Sequence, residues 1–411
     1  MKTLLTSLFC LFCPVLVHAQ LYGIWESADT VGFTPRFALS SAVLNNQIYV
    51  MGGNEDGGKN GSTYSSNAFD VFDPSFNTWN TPITSGTFTP RQKLASCAIL
   101  SKIYVIGGTG GACGCDLNTV EIYDPFYKSW TPGAAMPTPR SGLTVCILNN
   151  LVYAIGGNNG PNFLSTLEVY DPISNKWSTP ETGGWFHPMA NMTSSVVDNK
   201  IYIIGGYDGL SELDSVFIFD PSSNSWSSAA TTGNFAARQE HTAGVIGGKI
   251  YVLGGFASDF GVPTIMNDVN VFDPVAGTWD TVLTRGSMTA RHKLTSSVVN
   301  DKMYALGGTD DVSPFNLNEV FYPSTNSVTS ETRLENLSLS PNPTTGIVNV
   351  RSSSENFLHI SVINILGETM LDFPSIQTSD FRFDLSKFPS GIYYAKIISP
   401  NSAKVKIIVR Q

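Results

Sequence analysis

Ile48-Tyr49-Val50-Met51-Gly52-Gly53 is an apolar run of strand formers that ends abruptly in two glycines, and the chain repeats it five more times. The copies read IYVIGG at 103–108, VYAIGG at 152–157, IYIIGG at 201–206, IYVLGG at 250–255 and MYALGG at 303–308. Their second glycines lie 55, 49, 49, 49 and 53 residues apart. A period of about fifty, in units rich in β-branched and aromatic residues, marks a scaffold made by repeating one β-unit in a stack or a ring. Such a scaffold presents loops, and its repeated residues speak first of structure rather than of chemistry.

Working outward from each run, the same frame recurs. An arginine opens the unit at Arg36, Arg91, Arg140, Arg238 and Arg291, and the fourth copy has Met189 there. A strand with small residues follows, as in Leu39-Ser40-Ser41-Ala42-Val43, which suits strands converging on an axis. Gly-Gly ends the next strand, where the chain must turn sharply. The third strand then ends in aromatic-Asp-Pro at Phe72-Asp73-Pro74, Tyr123-Asp124-Pro125, Tyr170-Asp171-Pro172, Phe219-Asp220-Pro221 and Phe272-Asp273-Pro274. The carboxylate can accept nearby backbone N–H groups and proline fixes φ, so this is a turn with a mechanism. The sixth copy has Tyr322-Pro323 without the acid. Trp79, Trp130, Trp177, Trp226 and Trp279 come a few residues later, expected to pack between neighbouring sheets, and Val328 stands at the sixth position.

The arginine, Gly-Gly, aromatic-Asp-Pro and tryptophan series resembles the kelch repeat over Trp25 to Val328. The resemblance implies an all-β chain with a six-bladed kelch β-propeller, one four-stranded blade per repeat. Trp25 precedes the first arginine with no partner strands before it. Its segment is therefore expected to close the ring as the outer strand of the sixth blade.

Residues 1–19 read as a signal peptide. Lys2 supplies the positive start, 4–17 is apolar, and Ala19 precedes a cut ahead of Gln20. The run is too short to span a bilayer, and no later segment is long and apolar enough. Cys10 and Cys13 fall in this leader, which leaves Cys97, Cys113, Cys115 and Cys146. The formal net charge of −9 argues against nucleic acid as a partner.

The repeat frame occupies residues 20–330, and a different segment fills 331–411. Leu339-Ser340-Pro341-Asn342-Pro343-Thr344-Thr345-Gly346 opens it, alternating strands follow, and a lysine-rich strand 404–409 ends it. Read from the residues, this is a small β-sandwich. Pro-Asn-Pro-x-x-Gly, Ile365-Leu366-Gly367, Pro389-Ser390-Gly391-Ile392-Tyr393 and the basic end resemble the type A sorting domain of the type IX secretion system. That implies a Bacteroidota-type bacterium, passage through the outer membrane by that machinery, and a released or surface-held product.

The arginines and the loops after Gly-Gly should share one rim of the propeller, and variable polar loops on a rigid scaffold are where function usually sits. The candidate ligand-binding set is Arg36, Arg91, Arg140, Arg238, Arg291, His292, Asp56, Asn158, Tyr207, Asp208 and Asp310. Guanidinium groups grouped there would grip carboxylate or sulfate groups, although residues of the repeat frame equally suit bracing a turn or pairing with a structural acid. Arg238, Glu240 and His241 form the densest polar cluster and supply an alternative catalytic set, as in a sialic-acid mutarotase-like, sugar-active enzyme. His187, His241 and His292 sit at offsets −2, +3 and +1 from the arginine position, too uneven to define a metal site. Cys113 and Cys115 suit a local disulfide, two inert thiols or a soft-metal pair, and Cys97 and Cys146 read as buried small residues. No cofactor motif is present, nor G-x-S-x-G, H-E-x-x-H or a phosphate loop. The expectation is a secreted or cell-surface binding module for glycan or surface protein. A sugar-active enzyme and a structural surface-adhesion component are the alternatives.

Overall fold

The structure, a computed structural model, describes residues 21–55, 65–111, 114–259, 262–324, 337–351, 357–364, 369–399 and 402–411. They belong to two compact units, one within residues 20–325 and one within 326–411. All regular elements among the described residues are β-strands.

In the first unit each of the first five repeats builds an antiparallel sheet of four strands in chain order. The third sheet is representative, with Thr144–Leu148, Leu151–Ile155, Leu167–Asp171 and Lys176–Ser178. Its first two strands meet at Asn149 and Asn150, with φ of 53° and 60°. A two-residue turn of that hand matches the strand twist, and asparagine tolerates it. The second strand of every sheet is buried along its apolar run.

The first strands of the six sheets contact one another in cyclic order, the last touching the first. The same cycle appears in backbone hydrogen bonds. The second glycine of each sheet donates to the carbonyl of the arginine-position residue in the next, at 2.9–3.1 Å, and Gly308 of the sixth donates to Arg36 of the first at 3.0 Å. Glycine is required here. Gly307 and Gly308 have φ of +61° and +98°, and a Cβ on Gly307 would lie 2.6 Å from the Arg36 carbonyl oxygen.

The sixth sheet takes its fourth strand from Tyr22–Ser27, which pairs antiparallel with Asn318–Ser324 and places Trp25 opposite Phe321. The Asp-Pro turn is missing from this repeat because the strand that would follow it comes from elsewhere in the chain. Trp25 is buried, its ring centroid 5.2 Å from that of Phe321. The other tryptophans add a detail that spacing alone did not reveal. Each of three stacks on an aromatic three residues before its own sheet's arginine position: Trp79 on Phe33 at 4.3 Å, Trp226 on Phe186 at 4.2 Å and Trp279 on Phe235 at 4.1 Å. The linker into a sheet is thus pinned to that sheet's outer strand.

Cys97 and Cys146 are buried free thiols on adjacent first strands, and burial pushes the Cys146 thiol up to about 12. Cys115 is disulfide-bonded. Cys113 lies outside the described residues, as do the leader with Cys10 and Cys13, and Val328.

The second unit has two sheets around one core. Ser338–Ser340, Ile347–Arg351 and Asp380–Asp384 form one, and Thr369–Thr378, Phe357–Asn364, Gly391–Ser399 and Ser402–Arg410 the other. Val348, Val350 and Phe383 meet Ile360, Val362, Ala395, Ile397 and Ile408 between them. Alternating apolar residues give each sheet its buried face. Asn342 of the Pro-Asn-Pro segment donates to the Ile407 carbonyl at 2.7 Å and accepts from the Val409 N–H at 2.8 Å, which ties that segment to the last strand.

Candidate functional site

The five arginines do not form an open rim, which corrects their place in the ligand-binding set. Each is 0 % exposed. Arg36 pairs with Asp70 at 2.7 Å, Arg238 grips Asp268 with two bonds of 2.8 and 2.9 Å, and Arg91, Arg140 and Arg291 pair with Glu121, Glu168 and Glu319. Backbone carbonyls take further N–H groups, including Gly107 with Arg91 and Gly254 with Arg238, while the buried Nε of Arg36, Arg140 and Arg291 has no partner among the described residues. Burial pulls the Arg36, Arg91, Arg140 and Arg291 guanidiniums down from their ordinary value, and the partner carboxylates work against it. Wholly buried, these arginines hold the sheets' inner edges and present no surface to a ligand.

The fourth sheet lacks this pair on both sides. Met189 replaces the arginine, and Phe217 stands where Asp70, Glu121, Glu168 and Glu319 stand in their sheets, opposite the equivalent residue of the second strand. Both are buried in one apolar cluster. An ion pair has been exchanged for an apolar pair, which burial tolerates well because neither charge is then stranded.

The residue two beyond the arginine position lines the mouth of a cavity shared by the six sheets. Ala38, Lys93, Gly142, Asn191, Glu240 and Lys293, one per sheet, are joined head to tail in a closed ring of six backbone hydrogen bonds. Ala38 donates to Lys293 at 2.7 Å, and the ring runs on through Glu240, Asn191, Gly142 and Lys93, which donates to Ala38 at 2.8 Å. All six have φ between 52° and 60°. Left-handed backbone at five non-glycine residues persists only where the surroundings impose it, and such positions gather at binding surfaces.

These six residues, with Leu39, Leu94, Leu143, Met192, His241 and Leu294 beneath them, line a cavity of about 90 Å³. Below it a second cavity of about 190 Å³ is walled mainly by hydroxyls, where Ser40 bonds Ser96 at 2.7 Å and Thr144 bonds Ser194 at 2.6 Å. A wider cleft of about 550 Å³ lies between the first and second sheets, by Gln47, Asp73, Asn80 and Lys128, away from the residues singled out from the sequence.

Charge at the mouth is concentrated on one side. His292 bonds Glu240 through Nδ1 at 2.6 Å and Asp311 through Nε2 at 3.0 Å, and Lys293 lies 3.7 and 3.6 Å from the same two carboxylates. Burial works to raise the Glu240 carboxyl, but the His292 bond and the Lys293, His292 and Lys93 charges hold it below the ordinary carboxylate range. Lys93 forms no ion pair among the described residues and is half-buried.

The remaining expectations divide. His292 belongs to the mouth, but it is 2 % exposed and its nitrogens are taken. Tyr207 and Asp208 lie on the loop after the fourth Gly-Gly, with Asp208 bonded to His187 at 3.0 Å. Asn158 pairs through its backbone with Ser141, and Asp310 caps its own turn through the N–H groups of Val312 and Ser313. Asp56 lies outside the described residues.

The alternative catalytic set does not assemble. Arg238 is sealed against Asp268, and only Glu240 and His241 line the mouth cavity. His241 bonds Thr193 at 3.2 Å, and burial beside Arg238 pulls its pKa to about 3, too low for an acid–base role near neutrality. The three histidines serve three separate neighbourhoods. Lys93, Asn191 and Lys293 were missed by sequence reasoning. The signal in the sequence was weak: the position two beyond the arginine changes identity in nearly every copy, but so does the position before it, and only the following Leu or Met is nearly constant.

A model of the Kelch motif matches residues 35–81, 90–137 and 290–334, and one of the KLHDC2/KLHL20/DRC7 Kelch-repeats domain matches 132–308. The fold and these matches define a β-propeller-type kelch-repeat chain. A secretion system C-terminal sorting domain matches residues 338–410. The protein is a kelch-repeat protein carrying a C-terminal sorting domain of the type IX secretion system. That domain indicates export, to the outer cell surface or the surrounding medium, and suggests interaction with the secretion machinery. No helix among the described residues is long and apolar enough to cross a membrane.

Proposed function

We propose that the chain is an exported binding module: a closed six-bladed propeller spanning residues 20–330 that engages a glycan or a surface protein with the face carrying the channel mouth. Residues 1–19 act as the signal peptide, and 331–411 address the product to the type IX machinery. The cyclic hydrogen bonds that end at Gly308 and Arg36 support the closed ring of six blades.

The observation that carries the binding reading is the hydrogen-bonded ring of Ala38, Lys93, Gly142, Asn191, Glu240 and Lys293. It gives a rigid, strained frame on which two lysines, a carboxylate and an amide face a common opening, while the repeat's own charges are sealed below. A rigid scaffold that varies only at its rim is suited to recognition. The test is a binding screen of the full chain against polysaccharides and surface proteins, with Lys93→Ala and Glu240→Gln beside it. A ligand lost in either variant supports the mouth. A ligand bound equally by both variants moves the function elsewhere.

A further inference from the structure

The fourth blade has lost more than an ion pair. In the second, third and sixth blades the threonine two before the arginine bonds the buried carboxylate: Thr89 to Glu121 at 2.7 Å, Thr138 to Glu168 at 2.6 Å and Thr289 to Glu319 at 3.0 Å. In the fourth blade the same three positions read His187, Met189 and Phe217. With no carboxylate beneath it, His187 turns to Asp208 on the loop after Gly205-Gly206, at 3.0 Å.

Trp185 lies against this pair. Its ring centroid is 5.1 Å from His187 and 6.0 Å from Phe217, and the residue is 65 % exposed. Trp25, Trp226 and Trp279 are all buried. The other copies have Gly32, Thr87, Met136, Asn234 and Ser287 at the Trp185 position. Phe217, which took the acid's place, is therefore also the support for an indole held out in water.

Asp208 is held in a fixed orientation. Its Oδ1 accepts the N–H groups of Leu210 and Ser211 at 2.8 Å each, which leaves Oδ2 beside His187. Burial works to raise this carboxyl, but those N–H groups and His187 keep it below the ordinary range, so it is an ionised acceptor. The loop rests on Phe163 of the third blade, whose ring is 5.6 Å from that of Tyr207. Tyr207 pairs through its backbone with Ala190, next to the mouth residue Asn191.

We propose that Trp185, His187 and Asp208 form a carbohydrate-binding site that takes a pyranose ring. The indole offers a flat apolar surface to the C–H face of the sugar, and the Asp208 carboxylate at its edge, held by His187, accepts from the hydroxyls that project from that ring. One exposed indole with a polar edge is the right size for a sugar unit. A stable protein interface needs about 1,000 Å² of buried area. The proposal rests on the reading of the mouth face as the ligand surface and names the ligand class for its fourth-blade edge.

The test is affinity electrophoresis of the full chain through gels containing soluble β-glucan, xylan, galactomannan or polygalacturonate. At least one should retard the protein. Trp185→Ala should weaken that retardation roughly 2- to 12-fold. Asp208→Asn, whose oxygen still caps the turn, should weaken it about 10-fold or more. Phe126→Ala removes an aromatic that is 85 % exposed at an Asp-Pro turn and should change nothing. Retardation that survives Trp185→Ala and fails in Glu240→Gln overturns this site while keeping the mouth. Absence of retardation in all four gels, with iodide quenching of Trp185 showing an exposed indole, overturns the carbohydrate assignment. A Trp185-dependent protein partner in that case assigns the edge to protein.

Discussion

The third and fourth blades share one backbone plan and solve the same packing problem in opposite ways. The third buries Arg140 and Glu168, at 0 % and 1 % exposure, and locks them with Thr138 and the Gly156 carbonyl. The fourth fills the same space with Met189 and Phe217 and presents Trp185 and His187 at the rim. The fold tolerates either filling provided both partners change together. The blade released from the ion pair is the one that gains a surface group of its own.

The largest effects should come from breaking a pair on one side. Glu168→Ala strands the Arg140 charge and should cost about 3–5 kcal/mol in urea unfolding followed by circular dichroism. The double change Arg140→Met with Glu168→Phe copies the fourth blade and should recover most of that loss. In the other direction, Met189→Arg alone should destabilise by a similar ~3–5 kcal/mol, with recovery when Phe217→Glu is added. Doubles that remain as unstable as the singles would break the comparison.

Two tryptophans of the fourth blade sharpen it. Trp226, stacked on Phe186, should cost about 3–5 kcal/mol when changed to alanine. Trp185→Ala should leave stability within about 0.5 kcal/mol while impairing binding, because the ring is mostly in water. A large stability loss at Trp185 would make it a structural residue.

The fifth blade has its own departure. His241 occupies a position that is leucine or methionine in the other copies. Its pKa falls from 6.5 to about 3 on folding, so the unfolded chain binds the extra proton between those values. Stability from this residue is complete above pH 6.5 and declines as pH falls towards 3. The loss is at most about 2 kcal/mol at pH 5. His241→Leu should flatten that part of the pH profile. An unchanged profile would mean that other groups set the acid sensitivity.

Much of the fold was legible because its signals are backbone requirements. Gly-Gly and Asp-Pro demand particular dihedrals, and only a few residues meet them. The sites were less legible for the same reason. Arg36, Arg91, Arg140, Arg238 and Arg291 drew attention by repetition, and repetition marked them as structure. Their acids sit about thirty residues away on another strand, so nothing local revealed that the charges were satisfied. Lys93, Asn191 and Lys293 were overlooked because what brings them together is their place in the hydrogen-bonded ring, and not any residue type. Trp185 stands outside the repeat's tryptophan position, but only its exposure showed that it faces water.

The strand that completes the sixth blade, Tyr22–Ser27, joins residues about three hundred positions away in the sequence, with Tyr22 opposite Ser324. This sets an order of events. The ring cannot shut until the chain has been made as far as the 318–324 strand, and a truncation before that point leaves two unpaired sheet edges, which are ready templates for aggregation. A cut after Ser324 removes none of the described strands of the ring. Cleavage anywhere beyond Ser324 would therefore leave that clasp in place.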